Sequence, residues 1–215
     1  MLKILPIIFT FIILTALVFT GDFVEAIEVD AGSLYAGISY NTFDIDGRNW
    51  QTEEYLLADS AGSGLGYFAG ARYWLTRYAQ YASVLERTGI GAEVDLLETV
   101  ELKDGDREAS VSTIGFLATA AFNLLEAAED SPVGIALTGA GGIYQTNFEV
   151  RDEIGTAVND MYRGPGIKAG IQATFSPLDD IRVGGRVQYR YAPTHSEGDI
   201  DLSGFEINAM LKLSF

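Results

Sequence analysis

Along most of the chain, apolar residues alternate with polar or small ones at a period of two. In "GIKAGIQATF", Ile167, Ala169, Ile171, Ala173 and Phe175 line one face, opposite Lys168, Gly170, Gln172 and Thr174. In "IRVGGRVQYRY" the apolar set is Ile181, Val183, Val187, Tyr189 and Tyr191, opposite Arg182, Arg186, Gln188 and Arg190. The segment "INAMLKLSF" repeats the pattern with Ile207, Ala209, Leu211, Leu213 and Phe215. A period of two belongs to a pleated strand with two unlike faces. From residue 31 onward it predicts about eight strands, at 31–43, 63–76, 82–98, 109–125, 132–148, 162–176, 180–192 and 200–215.

The connections are expected to alternate in length. Those after the second, fourth and sixth strands ("TRYAQYAS", "EAAEDSP", "SPLD") read as short turns, and those after the first, third, fifth and seventh as longer polar loops. In an up-and-down sheet, alternate connections lie at the same end, so one end gains turns and the other loops. The charged residues recur on the face opposite the apolar one. A soluble barrel of the lipocalin kind would bury the apolar face, whereas a membrane barrel turns it to lipid and keeps the charges in its lumen. A length test favours the membrane. Phe205 and Phe215 share a face ten positions apart. At about 3.3 Å per residue and a tilt near 45° that is about 23 Å along the membrane normal, close to the height of such an apolar band.

Residues 1–26 break the pattern. Lys3 precedes an almost unbroken apolar run from Ile4 to Phe19, followed by Val24-Glu25-Ala26, which sets small residues where an export peptidase inspects the chain. This predicts a cleaved signal peptide at 1–26 and a barrel domain at 27–215, a retained anchor helix being the other reading. The signal segment carries a net −1, leaving −15 of the chain's −16 on the remainder. So acidic a chain does not suit nucleic acid, which needs basic patches to displace counterions. There are no cysteines, so an exported chain must hold together without disulfides.

Together the export signal, "GARYWLTRY…GAEVDLL", "GIALTGAGGIY" and the closing "AMLKLSF" resemble the small outer-membrane β-barrel proteins of Gram-negative bacteria, the opacity-protein and OmpA/OmpX-like superfamily. The resemblance covers essentially all of residues 27–215. It implies an all-β, eight-stranded antiparallel up-and-down transmembrane barrel in the outer membrane, with both mature termini periplasmic and the long loops extracellular. It also implies that the last strand, through Phe215, is read by the barrel-assembly machinery; Leu213 stands where an aromatic is usual in that signal.

On these registers the lumen is expected to hold Arg72, Glu93, Asp95, Lys168, Arg182, Arg186, Arg190, Glu206 and Lys212. Both signs are present, which predicts ion pairs filling a narrow interior, with Arg186 joined to Glu93 or Asp95. Tyr73, Phe122, Phe175 and Phe215 are expected as an inner aromatic girdle, and Tyr40, Tyr67, Tyr189 and Phe205 as an outer one. Leu211, Leu213 and Phe215 would share girdle and assembly roles. Inward glycines (Gly66, Gly70, Gly89, Gly91, Gly166, Gly170, Gly184) leave two readings open: space for a pore, or relief of strain in a tight barrel.

The loop segments are strongly acidic, with Glu53, Glu54 and Asp59 in the first, Glu101 and Glu108 in the second, Glu149, Asp152, Glu153 and Asp160 in the third, and Glu197, Asp199 and Asp201 in the fourth. "DIDGRN" (Asp44, Asp46) and "KDGD" (Asp104, Asp106) hold fragments of a calcium loop without its full ligand spacing, so neither a metal nor a cofactor is expected. Divalent-cation bridging to anionic lipopolysaccharide is the sharper reading of this acidity; a solvated charged surface is the plainer one. His195, the single histidine, is followed directly by Ser196 and Glu197, and adjacent residues do not converge as a catalytic triad does. No enzyme is expected. The expected roles are a structural or surface-interaction barrel with outer-membrane lipid and lipopolysaccharide as its surroundings and an unidentified surface ligand, or a small passive-diffusion pore.

Overall fold

A computed structural model describes residues 32–45, 60–104, 107–126, 132–152, 155–178, 180–193 and 202–214. The signal segment, His195, Asp46, Asp106 and Phe215 lie outside these. Among the described residues, no helix is long and apolar enough to cross a membrane, which leaves strands untouched.

Eight strands form: β1 (Gly32–Ile45), β2 (Ser60–Trp74), β3 (Thr88–Asp104), β4 (Arg107–Leu125), β5 (Val133–Asp152), β6 (Gly155–Phe175), β7 (Ile181–Tyr191) and β8 (Gly204–Ser214). Each pairs antiparallel with its neighbour, and β8 closes onto β1, from Ser33 opposite Ser214 to Asn41 opposite Glu206. Closure leaves no free sheet edge, which matters because an unpaired edge in hydrocarbon would strand backbone donors and acceptors.

The alternation in sequence becomes an inside-out wall. Ile167 is 62% exposed while Lys168, its neighbour on β6, is 2% exposed. The same inversion runs along β8, where Phe205, Ile207, Leu211 and Leu213 point outward and Glu206, Asn208, Met210 and Lys212 point inward. A wall of this kind is stable only in an apolar surround. On β5 the outward apolar residues run from Val133 to Ile143, and the outward face turns polar at Gln145, whose side-chain carbonyl accepts a hydrogen bond from Arg163 Nε at 3.0 Å. Ten residues at the rise and tilt used above span about 23 Å.

Two expected loops are strands instead. β3 and β4 remain paired out to Asp104 opposite Arg107, and β5 and β6 to Asp152 opposite Gly155, so each connection has two residues. Glu101, Asp104, Glu108, Glu149, Asp152 and Asp160 therefore lie in extended hairpins rather than in loops. The sequence explains the first case: Val100 and Leu102 continue the alternation, and Gly105-Asp106 is a two-residue hairpin pair. A register shift between Leu97 and Val100 marks where β3 leaves the barrel wall, as bulges at barrel rims do. The connection after β2 corrects the opposite expectation. It runs from residue 75 to 87 and contains two short 3-10 turns, Thr76–Tyr78 and Ser83–Arg87, so it is longer than either hairpin connection.

Candidate functional site

The lumen is where the chemistry gathers. Tilted strands with a shared inward parity bring Glu93 and Asp95 on β3, Lys168 on β6, Arg186 and Arg190 on β7, and Glu206 on β8 into one layer, all buried. Arg186 meets Glu93 through both arms of its guanidinium, Nη1 to Oε2 at 2.7 Å and Nη2 to Oε1 at 3.0 Å. Lys168 Nζ lies 2.7 Å from Glu93 Oε1, 2.5 Å from Asp95 Oδ2 and 3.5 Å from Glu206 Oε1. Arg190 Nη1 is 3.6 Å from Glu206 Oε2 and donates to Asn41 Oδ1 at 3.0 Å. Three carboxylates face three cations, so the layer is neutral. Bidentate and charge-assisted contacts of this kind offset the cost of taking ions out of water.

Neutral groups fill the gaps between the ions. Gln188 Nε2 and Asn208 Nδ2 each donate to Glu206 Oε1 at 2.9 Å, and Tyr144 OH donates to Asp95 Oδ2 at 3.4 Å. Tyr144 is 1% exposed. Two glycines make its room: a Cβ on Gly166 would collide with one edge of its ring, and one on Gly115 would come within 2.7 Å of the other. Gly70 likewise lies under the Tyr35 ring. These inward glycines therefore admit aromatic side chains rather than leaving open space. Toward the end where β1 begins and β8 stops, Tyr35, Phe68 and Met210 form a small apolar cluster, with the Arg186 guanidinium 4.7 Å from the centre of the Phe68 ring.

Three of the cations expected in the lumen stand apart from this layer. Arg72 stacks over Tyr35 and Trp74, its guanidinium carbon 5.2 and 6.0 Å from the ring centres. Lys212 Nζ lies 5.1 Å from the Trp74 ring centre. Arg182 sits directly opposite Lys212 on the neighbouring strand. Of the residues expected in the girdles, Phe175, Tyr189 and Phe205 are outward and exposed, and Tyr189 and Phe205 meet edge to face at 5.3 Å between ring centres. Tyr73 and Phe122 face outward by register and are half-buried. Asp44 and Asp104, from the calcium-loop fragments, end up on β1 and β3.

Asn41, Tyr144, Gln188 and Asn208 complete the layer but were not singled out from the sequence. Their parity was legible, since each falls on the inward face of its strand. What was not legible is height along the lumen, which depends on the stagger between strands.

No protein-family model and no curated protein sequence matches the chain. Solved structures do. The Neisserial surface protein A superposes with a TM-score of 0.54 at 12% identity, over 86% of this chain and 99% of that one. Ail, the attachment invasion locus protein of Yersinia pestis, gives a TM-score of 0.52 at 12% identity, over 85% and 98%. At that identity the likeness concerns the path of the backbone. With closure of β8 onto β1 and an inside-out wall, it identifies the fold as the eight-stranded antiparallel outer-membrane β-barrel.

Proposed function

We propose that the mature chain is an integral outer-membrane barrel that conducts nothing and acts at the cell surface through its protruding hairpins. The observation that carries this reading is the neutral ion layer. Charged side chains at 2.5 to 3.9 Å from one another cross the lumen from β3 to β6, β7 and β8. An eight-stranded barrel is only wide enough inside for side chains, and here they are tied to one another.

The surface role follows from what the wall leaves free. Past the apolar band, β5 continues nine residues from Ile143 to Asp152, on the order of 30 Å of strand at the rise of an antiparallel pair. The β3–β4 and β5–β6 hairpins carry acidic residues there, suited to bridging through divalent cations to the phosphates of lipopolysaccharide. The turn end, with both mature termini, faces the periplasm in this reading. Residues 1–26 are removed on export, and the segment ending in Phe215 is recognised by the barrel-assembly machinery. The names of the two similar structures, a surface protein and an attachment protein, agree with a role at the surface.

Planar-bilayer recording of the refolded mature chain is the test. A barrel that is folded by heat-dependent gel mobility and electrically silent supports the closed reading. Discrete conductance steps sink it and make the protein a small diffusion pore.

A further inference from the structure

The neutral layer uses six charged lumen residues, and Arg72, Arg182 and Lys212 remain, all near the turn end. Arg72 is 4% exposed and Lys212 3%. Among the described residues no carboxylate forms an ion pair with any of the three; Glu86, Glu126 and Asp180, the described acidic residues of the turn end, are exposed. The Nε atoms of Arg72 and Arg182 are buried with no hydrogen-bond partner. Arg72 and Lys212 both lie against the Trp74 ring, at 6.0 and 5.1 Å from its centre, but a ring face carries no net charge and cannot balance two cations. Buried like charges without a counterion are costly.

Beside these cations lies a small recess, partly open to solvent. Arg182 and Lys212 line it, together with Gln172, Thr174, Asn123 and Trp74, and Glu126 forms part of its wall. Gln172 and Thr174 are themselves buried, so their amide and hydroxyl groups are donors held away from water.

We propose that this recess binds a small oxyanion of the phosphate class. The planar guanidinium of Arg182 suits two oxygens of one such ion, Lys212 supplies a second charge, and Gln172 and Thr174 supply neutral donors. Arg72, against the Trp74 ring, adds positive potential nearby. A bound oxyanion gives the Arg182 Nε a partner and balances the charge that the central layer leaves over.

Trp74 gives a direct readout. The chain has two tryptophans, so in a Trp50→Phe background Trp74 is the single tryptophan, excited selectively at the red edge and placed against Lys212 and on the wall of the recess. Refolded mature protein is titrated with inorganic phosphate, chloride holding the ionic strength constant. The expected result is a saturating change in Trp74 emission, with apparent Kd weakened about tenfold or more in Arg182→Gln and in Lys212→Gln, as loss of a charge-assisted contact implies. Lys103→Gln, on the far hairpin, is expected to leave the titration unchanged. A response that never saturates, or that survives intact in both recess variants, overturns the assignment. Should Arg182→Gln fail to refold, Arg182→Lys keeps the charge but loses the fork, and an undiminished phosphate response in that variant overturns the proposal equally.

Discussion

Replacing Glu93 with Gln is the most informative single perturbation of the central layer. Glu93 is 1% exposed and touches two cations, Arg186 in a bidentate contact and Lys168 at 2.7 Å. The near-isosteric Gln removes one negative charge and keeps the volume, so packing is not the variable. The two cations are left in unequal positions. Lys168 keeps Asp95 at 2.5 Å and Glu206 at 3.5 Å, whereas Arg186 keeps only Glu206 at 3.9 Å. Most of the cost therefore falls on Arg186, which becomes a buried cation without a close partner. Removing one member of a buried pair typically costs about 3–5 kcal/mol, and the upper half of that range is not expected because Gln can still accept one hydrogen bond. We expect E93Q to destabilise the barrel by about 3 kcal/mol, read from urea unfolding and refolding in lipid vesicles by tryptophan emission. Arg186→Gln should cost a similar amount, and the double variant less than the sum by about 1–3 kcal/mol, the coupling that contacting residues show. Additivity within about 0.5 kcal/mol, or an E93Q barrel as stable as the parent, would refute the view that this pair is energetically joined.

Three further outcomes test other parts of the architecture. Gly166→Ala drives a Cβ into the Tyr144 ring and should destabilise by about 1–3 kcal/mol; in a Tyr144→Ala background the same change should cost little, and equal costs in both backgrounds would remove the steric explanation. Ile167→Arg puts a charge on the apolar outer face and should cost about 2–4 kcal/mol in vesicles, while Gln145→Arg, at the polar margin of the band, should stay within about 1 kcal/mol, so a reversed order would displace the membrane boundary drawn here. Tyr144→Ala removes the largest fully buried lumen side chain, and Asp95 loses its phenolic donor with it; a loss of about 3–5 kcal/mol is expected from the same unfolding curves, and a neutral result would mean the lumen collapses readily around the gap.

Much of this structure could be read from alternation alone. In β6 the sequence put Ile167, Ile171 and Phe175 on one side and Lys168, Gln172 and Thr174 on the other, and parity survives folding because a strand offers only two faces. Where the strands stop was harder. The stretch from Glu98 to Glu108 is acidic enough to read as a loop, yet Val100, Leu102 and Val111 keep the period and backbone pairing carries β3 and β4 to Asp104 and Arg107. Charge density does not end a strand that leaves the membrane into water, because both of its faces are then free to be polar. The 3-10 turn Ser83–Arg87 lies where the third strand is expected to begin, at residue 82, and β3 starts only at Thr88.

The lumen shows a second limit, and it explains how one set of inward charges divides into two. Sequence parity assigns Arg72 and Arg186 the same description, an inward cation on a strand. What separates them is stagger: Arg186 meets Glu93, which β3 carries to its level, while Arg72 lies opposite Ser33 on one side and Gly91 on the other, and neither neighbour offers a carboxylate. Lys212 is likewise opposite Tyr35 and Arg182. Each strand contributes its acids toward one end of its inward face: Glu93 and Asp95 follow Gly89 and Gly91 on β3, and Glu206 precedes Met210 and Lys212 on β8. The lumen carboxylates are thereby displaced from the turn end, and of the cations that remain there Arg182 and Lys212 share a wall with Gln172, Thr174 and the exposed Glu126. A lumen built only for stability would gain by exchanging one of these cations for a neutral residue. Their presence beside a recess is what makes an oxyanion, and not a further ion pair, the natural counter-charge at this end of the barrel.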